Sequence, residues 1–375
     1  MVGGLGARLG VLMTRLRWTL TLPLIADLEL LLTWGSHPHG LAVVLIAGLI
    51  AGAVLTSVHH AEILAHQVGE PLGSLLLAVA VTVIEVGLIV ALMVSGGPGS
   101  DALARDTVFS AVMICLNGIA GGALLLSAMR ERLAVFNPEG TGAALAAVST
   151  VAVLCLVLPR FTTSHPGPVF TGAQLTFAAL ASLAVYVVFV LTQTGRYRDF
   201  FLPVERGAPE DGAATEEEHA APPGARAAVI SAAGLLLALV AVVGLAKVES
   251  GAIKDGVHAL GLPDTVVGVV IALLVLLPES IAALRQAAAR RVQISLNLAY
   301  GSAMASIGLT IPVIAVASHW IDGPLVLGLE PTQMVLLAIT VVVSTLTVVP
   351  GRAKTLHGAL HLVLLAAFLF LAASP

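Results

Sequence analysis

The sequence predicts an all-α polytopic membrane protein of about 11 transmembrane helices, one extra N-terminal helix followed by a 5+5 inverted repeat. Three observations carry this. The 375 residues are 58% hydrophobic and only 11% charged, with a mean hydropathy of +1.01, whereas a soluble domain carries roughly 25% charged residues. Apolar stretches near the ~20 residues that a bilayer needs recur along the whole chain. A glutamate also sits inside such a stretch once in each half, at Glu85 and at Glu279.

The stretches fall at about 18–34, 41–64, 72–95, 106–128, 142–159, 170–192, 227–246, 264–284, 293–317, 328–348 and 356–373. The first is short, and its Asp27 and Glu29 have no counterpart later, which sets it outside the repeats. Turn-forming breaks such as Gly96-Gly97-Pro98-Gly99, Asn137-Pro138-Glu139-Gly140 and His165-Pro166-Gly167-Pro168 separate several of the others. One long polar segment, 195–226, holds Asp199, Glu205, Glu210, Asp211 and the run Glu216-Glu217-Glu218 among prolines and glycines. That is the composition of a disordered tether. The expected organisation is therefore an extra helix in 1–40, a first five-helix repeat in 41–194, an acidic cytoplasmic linker in 195–226 and a second repeat in 227–375. An odd number of helices per repeat forces the two halves to opposite orientations.

Charge asymmetry tests this count. With the N-terminus in the cytoplasm and the helices alternating, Arg8, Arg15, Arg17, Arg130, Arg132, Arg196, Arg198, Arg206, Arg226, Arg285, Arg290, Arg291, Arg352 and Lys354 fall inside. Arg105, Arg160, Lys247 and Lys254 fall outside. Cytoplasmic loops are the ones enriched in Lys and Arg, and a helix missed in the middle would destroy the bias. The C-terminus is thus expected outside.

Composition also excludes functions. A formal net charge of −4 offers no basic face to nucleic acid. Cys115 and Cys155 lie in apolar stretches without a Cys/His cluster at metal spacing, so they read as small core residues. His60 to His66 makes no HExxH helix, which removes support for an intramembrane zinc protease. Arg8, Arg15 and Arg17 precede an apolar run without a small-residue cleavage site, so no cleavable signal peptide is expected. The chain reads as a non-enzyme with no resident cofactor.

What remains is the pair of acids. A carboxylate in hydrocarbon must be neutralised, paired or turned to a wet cavity, so such residues mark ion pathways and proton relays. Glu85 lies more than ten residues from either end of its stretch, with Thr82 one turn earlier on the same face. Glu279 follows Pro278, whose missing N–H and clash with the preceding turn are expected to free the Leu274 and Val275 carbonyls to face a cation beside the carboxylate. The next stretch in each half supplies Ser110, 25 residues after Glu85, and Ser302, 23 after Glu279, with Ser306 one turn beyond Ser302. Asn117 and Asn297 add polar groups to those helices, and small residues there serve equally to bring helices close. Hard cations such as Ca²⁺ take six to eight oxygens, and two glutamates with the hydroxyls of Thr82, Ser110, Ser302 and Ser306 offer such a set. A desolvated carboxyl that has lost its cation binds H⁺ instead. Competition of cation and protons for one pair of carboxylates makes an antiporter. Glu62, His66 and Glu70, with His59 and His60, form a candidate vestibule at the cytoplasmic end of the second stretch, or a solvated helix end. His357 and His361 share a face near the start of the last stretch and read as hydrogen-bonded helix-end histidines. A cation channel, or an intramembrane metal-dependent enzyme or sensor, is the alternative class.

The run Leu64-Ala65-His66-Gln67-Val68-Gly69-Glu70-Pro71-Leu72-Gly73-Ser74 leading to Glu85 resembles the first repeat of bacterial calcium(sodium)/proton antiporters of the ChaA type, in the cation/Ca²⁺ exchanger superfamily. Leu277-Pro278-Glu279-Ser280, then Val292-Gln293 through Asn297 and Gly301-Ser302 to Pro312, resembles the second. The resemblance implies alternating access in the bacterial inner membrane, exchange of Ca²⁺, Na⁺ or K⁺ for H⁺, and alternate occupancy of Glu85 and Glu279 by cation and proton. It implies small polar ligating positions at Ser110 and Ser302. Where the superfamily commonly carries Gly-Asn before the repeat acid, this chain has Val83-Ile84 and Leu277-Pro278.

Overall fold

The computed structural model describes residues 3–36, 38–68, 72–94, 96, 99–204, 225–321 and 323–375, with side chains outside 3–17, 72–78 and 225. The helices are α1 (Gly3–Thr33), α2 (Leu41–Val68), α3 (Leu72–Val94), α4 (Leu103–Met113), α5 (Ala120–Glu131), α6 (Pro138–Ala152), α7 (Gly172–Thr194) and α8 (Ala225–Ala259). They continue as α9 (Thr265–Val275), α10 (Leu277–Ala288), α11 (Val292–Ala317), α12 (Pro331–Val348) and α13 (Thr355–Ala373). A π-helical segment, Ile114–Ile119, joins α4 to α5 into one span. Among the described residues, eight helical stretches are long and apolar enough to cross a bilayer, and α9 with α10 make a ninth, bent by 54°. Every apolar stretch of the sequence is helical over most of its length, although 106–128 runs from α4 through the π-helical segment into α5, 142–159 runs past the end of α6, and 264–284 is divided between α9 and α10. The main departure is α8, which runs 13 residues past the apolar stretch that ends at 246. Lys, Glu and Ala propagate a helix as well as apolar residues do, so hydropathy under-reads its end.

Several helix starts follow from local chemistry. The Asn137 side chain accepts from the Glu139 and Gly140 amides at 2.9 and 3.4 Å, with Pro138 in the first turn of α6. Thr171 and Gln174 close a capping box on α7, and Glu330 and Gln333 close one on α12 behind Pro331. Each cap satisfies amides that the helix cannot and contributes about 1 kcal/mol.

The chain forms two compact units, and they cut across the two halves of the sequence. The first, Met1–Ser95 with Glu216–Gly256, holds α1, α2, α3 and most of α8. Its buried residues include Ile46, Ile50 and Val54 on α2, Ile84 and Ile89 on α3, and Ala241 and Leu245 on α8. The second, Gly96–Thr215 with Val257–Pro375, holds the remaining helices around α11 and the π-linked α4–α5 span.

Loops within the second unit sort to two ends. A two-residue strand β1 (Ala134–Val135), after α5, pairs antiparallel with β2 (Arg352–Ala353), after α12. The Asn137 amide donates to Gln293 Oε1 at 2.6 Å, and Arg290 pairs with Glu131 at 3.6 Å. At the other end Val169 bridges Val326, the Gly328 amide donates to the Pro168 carbonyl at 3.0 Å and the Val326 amide to the Asp101 carbonyl at 3.0 Å. In every case the paired loops are ones that simple alternation assigns to a common side.

Candidate functional site

Glu85 belongs to the first unit. It is 4% exposed on α3, and Thr82, one turn earlier on the same face, is 5% exposed. Gly87 lets α3 approach α8 so closely that an added Cβ would collide with the Val243 side chain. Burial of a carboxyl at this depth, with a hydroxyl on its own face, is what the sequence predicts of an ion-handling residue.

Glu279 and the serines belong to the second unit. The chain crosses the α9–α10 bend through the Leu276 amide donating to Ala272 at 2.9 Å and the Ser280 amide donating to Leu276 at 2.9 Å. Pro278 has no N–H for Leu274, which accounts for the break. Glu279 is half-buried in the first turn of α10, where the exposed amides and the helix dipole favour an anion. The Ser280 hydroxyl donates back to Leu276 at 2.7 Å and so is occupied by its own helix. Helix α11 packs against α10, α4 and the π segment, so the helices bearing Glu279, Ser302, Ser306 and Ser110 are neighbours. Ser110 and Ser306 are buried and Ser302 is half-buried; beside it, a Cβ at Gly301 would meet open space. Ser110 Oγ donates to the Asp106 carbonyl at 2.5 Å, which leaves its lone pairs to accept or to ligate.

The remaining sequence candidates divide. Glu62 and His66 are exposed near the end of α2, as in a solvated helix end, while Glu70 lies outside the described residues. His60 is instead buried, its Nε2 3.1 Å from the Thr19 carbonyl of α1 and its ring against Gly234 of α8. His357 is a helix-end histidine, its Nδ1 accepting from the Lys354 amide at 3.0 Å. His361 is not: it is fully buried and bonds Asn117. Asn297 is a packing group, donating to the Phe201 carbonyl at 2.6 Å and accepting from Gln293 at 2.9 Å.

The structure also shows groups that hydropathy passed over. Arg105 and Asp106, at the start of α4, are both buried and paired at 2.8 Å, with Arg105 reaching Glu330 at 3.6 Å and Arg160 reaching it at 3.4 Å. Asp106 is one turn before Ser110 on the same face, and both line a cleft of about 590 Å³, including its open mouth, with Glu330 and Gln333. In the sequence Asp106 was legible only as the start of an apolar stretch. Glu249, on α8, is buried with its Oε1 making no hydrogen bond among the described residues. It lies three residues past the apolar stretch, where a spacing rule does not look. Among the cations that break the charge asymmetry, Arg105, Arg160 and Lys247 have visible partners. Arg105 and Arg160 sit in the Glu330 network, and Lys247 Nζ lies 5.2 Å from the Trp34 ring centroid.

A family model described as sodium/calcium exchanger protein matches residues 38–195 and 230–373. The chain belongs to the sodium/calcium exchanger protein family. This exchanger is 45% identical over 361 residues to a putative ionic transporter, y4hA, of Sinorhizobium fredii (strain NBRC 101917 / NGR234), covering 96% of each chain. It is 33% identical over 356 residues to the sodium-potassium/proton antiporter ChaA of Escherichia coli (strain K12), covering 94% of each. Its fold is similar to the crystal structure of the H⁺/Ca²⁺ exchanger CAX, with a TM-score of 0.68, 16% identity and coverage of 96% of this chain and 88% of that one. Native YfkE gives 0.66 at 15% identity, with 94% and 97% covered. The expected family is thus borne out, and with it a multi-pass transporter rather than an enzyme.

Proposed function

We propose that this exchanger is a secondary active antiporter of the bacterial inner membrane, moving Ca²⁺ against H⁺ by alternating access, with Glu85 and Glu279 binding cation and protons in turn. The observation that carries the reading is the acid that each half of the chain places inside an apolar stretch, Glu85 buried in α3 and Glu279 half-buried in the first turn after the break between α9 and α10. Thr82, Ser110, Ser302 and Ser306 supply neutral oxygens on the same or the following helices, the donor type that hard cations take. When a cation leaves, protons neutralise the carboxylates, so the empty site crosses the hydrocarbon without uncompensated charge. A monovalent cargo, Na⁺ or K⁺, is the second reading. It is favoured by the 33% identity to ChaA, named for sodium and potassium, against 16% to CAX, named for calcium.

Proteoliposomes holding a trapped pH dye test both readings, with Ca²⁺, Na⁺ and K⁺ added in turn. The wild type should move protons in answer to at least one of them. Glu85→Gln and Glu279→Gln should each remove that response while the protein remains monodisperse. Full exchange in either variant would reject the site assignment, and a response to monovalent ions alone would select the second reading.

A further inference from the structure

The α4–α5 span changes from α- to π-helical turns in its middle, and the buried polar contacts of that segment run outward from one side chain. Asn117 Oδ1 lies 3.0 Å from His361 Nδ1 on α13, and Asn117 Nδ2 donates to Thr340 Oγ1 on α12 at 3.0 Å. The Thr340 hydroxyl in turn faces Met113 Sδ at 3.7 Å. All three polar groups are essentially inaccessible, at 1% for His361 and 0% for Asn117 and Thr340. Gly121 on α5 leaves the room: a Cβ there would stand 2.5 Å from His361 Cβ. An ionisable residue so enclosed inside a membrane span is a functional element more often than a packing one. Single π turns recur at functional positions because they re-aim a side chain.

We propose that His361 is a proton-responsive positioning residue, which through Asn117 holds the π-turned middle of the helix that carries Ser110. The inference rests on the antiport reading above but uses neither glutamate. A neutral imidazole has one N–H and one lone pair. It therefore satisfies Asn117 in either of two arrangements. In one, His361 Nδ1–H donates to the amide oxygen, and the amide NH₂ donates to Thr340. In the other, the amide is turned over, its NH₂ donates to Nδ1, and the Thr340 hydroxyl donates to the amide oxygen. A second proton makes both ring nitrogens donors, and only the first arrangement survives. Protonation of His361 thus selects one state of the three-helix contact, seven residues along the span from Ser110.

The groups that act on this switch are few. His357 lies one turn earlier on α13, and the Leu116 carbonyl of the π segment is a further hydrogen-bond partner of the His361 ring. The elements packed on α13 otherwise carry Cys115 in the π segment, Arg130 and Glu131 at the end of α5, and Arg352 in β2. Arg130 donates to the Ala288 carbonyl and Glu131 pairs with Arg290, so both are turned to other partners.

The test is the pH profile of reconstituted exchange from about pH 3.5 to about pH 9, a range wide enough for an imidazole that its surroundings have shifted. His361→Asn keeps an N–H donor near the position of Nδ1 but cannot titrate. It should keep the maximal rate within about threefold and the cation half-saturation unchanged, and lose one inflection of the profile. Asn117→Ala, which cuts the link from the other side, should lose the same inflection. A wild-type profile in His361→Asn overturns the proposal, as does an inflection that persists in Asn117→Ala. Should His361→Asn not assemble, Thr340→Val alone must displace the inflection, and an unmoved one overturns the proposal equally. Wild-type vesicles without any exchange would instead reject the antiport reading itself.

Discussion

Arg105 is a guanidinium taken out of water, and its Nε at 2.8 Å from Asp106 Oδ1 is what makes that tolerable. Removing one partner of a buried pair strands the other's charge. Arg105→Gln is therefore expected to lower stability by about 3–5 kcal/mol, while the paired replacement Arg105→Met with Asp106→Leu should lose far less. Thermal unfolding of the purified protein in detergent compares them, and equal midpoints for the two would show that the pair does not hold α4. The carboxylates of the transport site make a separate prediction at the same scale. A cation that displaces protons binds more weakly in acid. Below the carboxyl titration, half-saturation for Ca²⁺ should rise by up to about 100-fold per pH unit, and for Na⁺ or K⁺ by up to about tenfold, if each positive charge displaces one proton. Flux titrations at three pH values read the slope, and a pH-independent half-saturation would separate cation binding from protonation.

At the scale of elements, the break between α9 and α10 is the feature most legible in advance. Proline inside an apolar stretch has a single consequence, loss of a backbone donor and a clash one turn back, and the helix bends by 54° at that point. Pro278→Ala restores the donor. It is expected to straighten the pair and to slow exchange at least about tenfold without unfolding, because a misplaced ligand is expensive in rate; an unchanged turnover number would make the bend incidental. The π turn at 114–119 was not legible, since Ile114-Cys115-Leu116-Asn117-Gly118-Ile119 has ordinary helical composition. Its buried hydrogen-bond partners, Thr340 on α12 and His361 on α13, lie far off in the sequence. Close helix crossings are of the same kind. Gly358 on α13 meets Leu125 so tightly that a Cβ would stand 2.5 Å from its amide nitrogen. Gly358→Ala should accordingly destabilise by about 1–3 kcal/mol by overpacking, measurable in the same unfolding assay.

At the scale of the whole molecule, the succession of apolar spans was readable from hydropathy, because bilayer thickness acts on each of them, and the Lys/Arg bias adds an expected orientation. The two compact units were not readable. They join α1–α3 to α8 across the boundary between sequence halves, and side-chain fit between distant helices leaves no periodic mark. The alternation predicts opposite access for two exposed positions of the second unit. A cysteine at Thr163 should react with an impermeant thiol reagent only from outside, and one at Lys354 only from inside. Cys115 and Cys155 are buried and should give little background. Labelling of both from one side would remove the assigned topology.

The short ladder of Ala134 and Val135 with Ala353 and Arg352, and the opposite bridge of Val169 with Val326, lace the second unit at both of its ends. Backbone stitching of this kind resists shear. A helix of this unit that slid along its neighbours would have to tear a seam at one end, and amides such as those of Gly328 and Val326 would then exchange quickly with deuterium. Slow exchange at those positions during turnover would mean that this unit travels as a stiff frame, leaving the flexing to segments that no seam restrains.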